Sequence, residues 1–414
     1  MTPLHIACLQ GNLDVAQGLH SAGASLDARD TNGNTPLHVA CYSGHLDVVQ
    51  WLHSAGASLD AKDNEGATPL HEACQEGHLD IAQWLHSEGA SLDSTDIEGS
   101  TPLHDACCSD HLDIAQWLHS VGASLDAIDG KGETPLHTAC SGGNLDIAQL
   151  LHSAGASLDA TNSVGYMSTY TPLHAACVNG YLDVAQWLHS AGASLDTKDN
   201  SKGATPLHVA CMGGHLDVVQ WLHSAGASLD CRDTERNTPL HDTCAHGHFS
   251  IAQWLHSAGA SLDATDEAGC TPLHLACMNG HLRGAQWLHS AGASLKATDD
   301  DQLTPLHDAC FNGHLDVAQW LHSAGASLEA IDIDGQTPLH RACIEGNLDV
   351  AQWLCSAGAD ATLKSNDGST PMKLLQNSNR SHPLDQQALR STLACLVRRA
   401  QAQGPLLYTT APCM

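Results

Sequence analysis

The tetrapeptide Thr-Pro-Leu-His begins at residues 2, 35, 68, 101, 134, 171, 205, 238, 271, 304 and 337, and a degenerate Thr-Pro-Met-Lys begins at 370. Successive copies lie 33 residues apart almost throughout, with one step of 37 and one of 34. A chain of 414 residues would ordinarily suggest two or three globular domains. A fixed short period overrules that expectation and points to a one-dimensional stack of like units. The composition agrees, with only 4% aromatic and 15% charged residues and 36 glycines available for tight turns.

Residues 30–62 show the unit. Asp30 and Gly33 bracket a turn, where glycine supplies a positive φ. Thr35 is placed to cap a helix, and Pro36 takes the first helical position, where a missing N–H costs nothing. The first helix is expected over about 36–43, ended by Gly44, and the second over about 46–54, ended by Gly56. Leu46, Val48, Val49, Trp51 and Leu52 make the second helix largely apolar. Neither helix can bury its apolar face without a neighbour.

The Thr-Pro-Leu-His-x-Ala motif at this period resembles the ankyrin repeat, over residues 2 to about 375. The resemblance implies an all-α repeat solenoid, an array of about twelve helix-turn-helix units of 33 residues with hairpin turns projecting like fingers. It divides the chain into an array over 1–375 whose first repeat lacks its turn, a C-terminal capping helix region over 376–401, and a flexible tail over 402–414. The chain departs from the family in preferring Cys where Ala is common and Trp where Leu is common. Arg236 and Gln302 also stand where other repeats have the turn glycine, which works against a tight turn there.

His-x-x-Cys occurs eleven times, and two ligands three apart share a helix face. A structural zinc site needs four ligands at about 2.0–2.3 Å, whereas the nearest matching pair lies one repeat away. No metal and no cofactor is expected. His38 and its equivalents should tie the helix start to neighbouring turn backbone, and Cys41 and its equivalents should act as small buried hydrophobes. Stacked helices lie roughly 8–10 Å apart, too far for register-matched cysteines to pair along the stack. The chain therefore reads as intracellular, cytoplasmic or nuclear, and reduced. The nine tryptophans recur at one place in the second helix, and read as packing between repeats.

The formal charge is −30. Twenty-seven of the 46 carboxylates recur at three repeat positions, exemplified by Asp30, Asp47 and Asp60, which reads as a solvated face. Such acidity argues against nucleic acid and favours encounter with a basic protein partner. No run of 18 apolar residues occurs, so no membrane span is expected. Thirty histidines equal the formal charge in number, so protonating them all near pH 6.5 would bring the net charge close to zero.

Residues 384–401 form an amphipathic segment, with Leu389, Leu393 and Leu396 on one side, placed to close the last repeat. The first repeat has no such closure, so the chain is expected to be a piece of a longer protein.

Comparing the repeats with one another separates scaffold from freedom. The residue between Thr-Pro-Leu-His and Ala-Cys varies most, followed by the two residues after Ala-Cys and the turn tips. In the ankyrin family these places line the groove and fingers that bind protein partners. The resulting candidates for partner contact are Tyr42, Glu72, Asp105, Asp242, Asp308, Phe311 and Arg341. The 37-residue step adds Tyr166, Met167 and Tyr170 in an extended finger, either as an anchor for a partner or as a plug folded onto adjacent turns. The expected function is a non-enzymatic, monomeric protein-binding scaffold. The alternative is a structural or adaptor segment of a larger signalling protein whose activity lies outside this chain. An enzyme is disfavoured because every His, Cys and Asp of interest lies on the repeat lattice, with no unique nucleophile.

Overall fold

The computed structural model describes residues 1–161, 170–381, 391–392, 394–398 and 401. Among these residues every regular element is a helix, arranged in two compact units, 1–227 and 228–414. The first unit runs from the helix Pro3–Leu9 to Leu216–Ser224 and the second from Pro239–His246 to Pro371–Ser381, each as successive helix pairs.

The repeat at residue 35 shows how the sequence makes a pair. Its first helix is Pro36–Tyr42 and its second Leu46–Ser54, one residue shorter and of the expected length respectively. Helices of seven and nine residues are marginal alone, so packing has to hold them. Leu37, Ala40, Cys41, Val48, Val49 and Leu52 are all fully buried. First helices pack on first helices and second helices on second helices along each unit.

Two histidine ladders stitch neighbouring repeats together. The Thr35 N–H and hydroxyl both donate to His38 Nδ1, at 3.2 and 2.8 Å. His38 Nε2–H donates forward to the Ala67 carbonyl of the next turn at 3.1 Å. Because Nε2 must donate and Nδ1 must accept, the imidazole is held neutral. A second histidine stands before seven of the second helices and reaches backward, as His78 Nε2 does to the Tyr42 carbonyl at 3.1 Å, and Asn144 and Asn347 take its place in two others. Gly44 shows why glycine precedes it. Its φ is +76°, and a Cβ there would lie 2.5 Å from the His78 ring.

Turn tips are linked by backbone bonds, such as Ile97 N–H to the Glu65 carbonyl at 2.8 Å in the first unit and Ile333 N–H to the Asp301 carbonyl at 2.8 Å in the second. Arg236 and Gln302 adopt φ of +63° and +61°, so these two turns keep the left-handed geometry without glycine. The turn aspartates correct the expectation of a solvated face. Asp129 Oδ1 accepts the backbone N–H groups of Lys131 and Glu133 at 2.8 and 2.7 Å, and Asp129, Asp199, Asp233 and Asp332 are buried. The half-buried tryptophans pack between repeats, edge-on to the histidine of the preceding second helix, as with His20 and Trp51 at 6.0 Å.

The helix Pro371–Ser381 crosses the expected boundary at 375, because the degenerate motif at 370 still starts a first helix. In the capping region residues 394–398 are helical and Leu396 is buried, whereas Leu389, Leu393 and the tail over 402–414 lie outside the described residues.

Candidate functional site

In most repeats the variable residue sits on the first helix, nine residues after the turn aspartate (ten after Asp199), which places it beside the turn. In the first unit Tyr42 ends its helix with half its surface exposed. Glu72 and Asp105 are more enclosed than free surface residues, and neither carboxyl has a hydrogen-bond partner among the described residues. Burial, then Asp63, Glu76 and Glu65, pushes the Glu72 carboxyl up to about 7. Burial, then Asp96 and Glu72, pushes Asp105 up to about 8. Like charges in a poorly solvated place favour the neutral acid.

A cleft of about 570 Å³ opens beside Asp105, walled by Asp96, Glu98, Asp129 and Glu133, with the exposed Ile97 at its lip. Of its lining side chains His104 is bonded into the repeat lattice, and Lys131 pairs loosely with Glu98 at 3.9 Å. Tyr170 is half-buried and stacks on His174 with ring centroids 5.8 Å apart, while its carbonyl accepts from His137 Nε2 at 2.9 Å. That geometry is packing onto its own repeats. Tyr166 and Met167 lie outside the described residues.

In the second unit Asp242 is half-buried on the helix Pro239–His246. Asp308 is 4% exposed, and its Oδ2 has no hydrogen-bond partner. Burial, then Asp299, pushes its carboxyl up to about 8 against the opposing pull of Arg341. Arg341 lies across this place. Its Nε and a terminal nitrogen both reach Asp332 Oδ2 at 2.9 Å, and its guanidinium carbon lies 5.8 Å from the Phe311 ring centre. The variable position thus holds an unpaired acid in one repeat and a paired base in the next.

The thiols and imidazoles of the repeat lattice are poor reagents. Burial raises the Cys41 thiol well above its ordinary range and Cys8 to about 12, which disfavours the reactive thiolate. Burial also lowers His38, His71, His104, His137, His241, His274 and His340, and takes His174 and His307 to about 4. Among the described residues no three His, Cys, Asp or Glu side chains are disposed to hold a metal ion, and no helix is long and apolar enough to cross a membrane.

Sequence reasoning placed Arg341 and Asp308 on this face but missed the pairing of Arg341 with Asp332 and the cleft beside Thr138. The signal was present in the nine-residue offset that separates Asp96 from Asp105, Asp129 from Thr138, Asp299 from Asp308 and Asp332 from Arg341. The depth of the cleft depends on which side chain fills it, and that needs coordinates.

No curated protein matches the chain significantly. The family model for ankyrin repeats in many copies matches residues 4–53, 37–86, 70–119, 103–152 and 173–223. The model for ankyrin repeats in three copies matches 207–299, 240–332 and 273–365. Ankyrin repeats generally mediate protein–protein interaction and are typically not enzymes. The period, the paired helices and these matches agree along most of the sequence: the chain belongs to the ankyrin repeat family.

Proposed function

We propose that this chain is a non-enzymatic, monomeric intracellular scaffold that binds a basic protein partner through its first-helix face and turn tips. The observation that carries the reading is the division of labour within one repeat frame. Motif residues that recur from repeat to repeat, such as Leu37, His38, Cys41 and Leu52, are buried or bonded to the next repeat, whereas the varying positions include exposed Tyr42, exposed Ile97 and the Thr138 side of an acid-walled cleft. Variation therefore falls in part where contact is available, as at Tyr42 and Ile97. Aromatic side chains on such a face suit binding hot spots, and the charge of −30 suits a basic partner.

The test compares a face variant, Tyr42→Ala with Phe311→Ala, against a control in which exposed second-helix carboxylates are changed, Asp47→Asn with Asp113→Asn. Proteins retained from lysate by the wild type should be lost by the face variant and kept by the control. Equal retention by both variants overturns the reading.

A further inference from the structure

The two units contain the same acidic arrangement in the same register. Asp96, Asp105, Asp129 and Thr138 of the first unit correspond, repeat position by repeat position, to Asp299, Asp308, Asp332 and Arg341 of the second. In the second unit the fourth position supplies a guanidinium, which reaches Asp332 Oδ2 through two nitrogens at 2.9 Å. In the first unit the fourth position is the short Thr138, and the space beside it is the cleft of about 570 Å³.

The matching carboxylate is left open. Asp129 is only 8% exposed and lines the cleft. Its Oδ1 is taken by the N–H groups of Lys131 and Glu133, while its Oδ2, the atom that in Asp332 holds Arg341, has no hydrogen-bond partner among the described residues. Asp105 lines the same space, also without a partner. A buried carboxylate without a counter-charge is costly, and a cation entering the cleft would relieve that cost.

We propose that this cleft receives one arginine side chain of a basic protein partner, seated on Asp129 and Asp105 as Arg341 is seated on its own turn. The proposal rests on the protein-binding reading above and names the chemistry of one contact within it. Arginine fits better than lysine because a planar guanidinium can engage Asp129 Oδ2 through two N–H groups while its face covers the wall.

The probe is the peptide acetyl-Gly-Gly-Arg-Gly-Gly-amide, titrated at low salt into the full chain and followed by backbone amide NMR shifts. Its isostere carries citrulline, which keeps the shape and removes the charge. Saturable shifts are expected at Lys131, Glu133 and Thr138, with at least tenfold weaker binding for the citrulline peptide. Thr138→Arg should place an internal guanidinium in the cleft and weaken peptide binding at least tenfold. It changes the net charge only from −30 to −29, so diffuse attraction to an acidic surface would persist in that variant. Asp105→Asn, an isosteric change that takes away one of the two proposed acceptors while leaving Asp129 in place, serves as a second variant and should also weaken binding. Equal binding of the two peptides, or undiminished binding to both variants, overturns the proposal. If that happens while partner retention still depends on Tyr42 and Phe311, only the arginine site falls and the wider protein-binding reading stands.

Discussion

Replacing Asp308 with asparagine should stabilise the protein, and by more as the pH rises. Asp308 is 4% exposed, its Oδ2 is unbonded, and its carboxyl is lifted from 3.8 to about 8 by burial and Asp299. A raised folded-state value means that the protonated acid is the form the fold accepts. That contribution is complete below the unfolded value of about 4 and is lost progressively as pH climbs towards 8. At pH 7 the interval of about three units corresponds to ~4 kcal/mol as an upper limit. The asparagine amide brings its own polar burial, of about 1–3 kcal/mol where it lacks a partner, so the net gain at pH 7 is at most about 1–3 kcal/mol. Urea unfolding at pH 5.5, 7 and 8.5 reads this directly. The difference between variant and wild type should widen with pH and level off above 8. A variant that is less stable at pH 8.5, or a pH-independent offset, would refute the argument that an uncompensated buried carboxyl sits there.

The conserved-frame histidines act in the opposite direction. His174 and His307 are lowered to about 4, and His38, His71 and His104 among others also lie below the ordinary value. Their contribution is therefore complete above about pH 6.5 and is lost as pH falls towards 4, which circular dichroism at 222 nm should show as acid unfolding. Arg341→Ala removes both contacts to Asp332 and should cost about 1–3 kcal/mol in urea unfolding, whereas Arg341→Lys should recover less than half, because an ammonium cannot lie flat over Phe311. Tyr170→Ala should lower stability by about 1 kcal/mol through the lost stack on His174, measured as a drop in Tm. Turbidity on acidification should set in well below pH 6, because lattice histidines held neutral leave the net charge more negative than thirty free imidazoles would; onset above pH 6 would contradict this.

The fold was legible because each repeat writes its punctuation in local chemistry. Thr35 and Pro36 start a helix, Gly44 and Gly56 end helices, and the period of 33 supplies the neighbour that buries Leu37 and Leu52. The candidate face was legible only as a set of positions. That Glu72 and Asp105 would be half-enclosed and driven towards neutrality could not be read from residue type, because it depends on acids contributed by adjacent turns at 63–65 and 96. The reading of recurrent acids as a solvated face failed for the turn aspartates for a related reason. Their side chains replace water with backbone N–H groups two and four residues ahead, as Asp129 does, and composition does not reveal that.

The forward-reaching imidazole gives each unit a direction. His38 is kept neutral and dry by the turn that follows it, whose Ala67 carbonyl takes its Nε2–H. When a repeat peels away on the C-terminal side, the histidine behind it meets water and returns to an ordinary imidazole that acid can charge. Once charged, its Nδ1 carries a proton where the Thr35 N–H points, and the repeat cannot close again without releasing it. Peeling on the N-terminal side exposes only carbonyls of this ladder, which water satisfies at any pH. Acid should therefore act as a one-way ratchet, unzipping a stack from its C-terminal side while the opposite side merely frays.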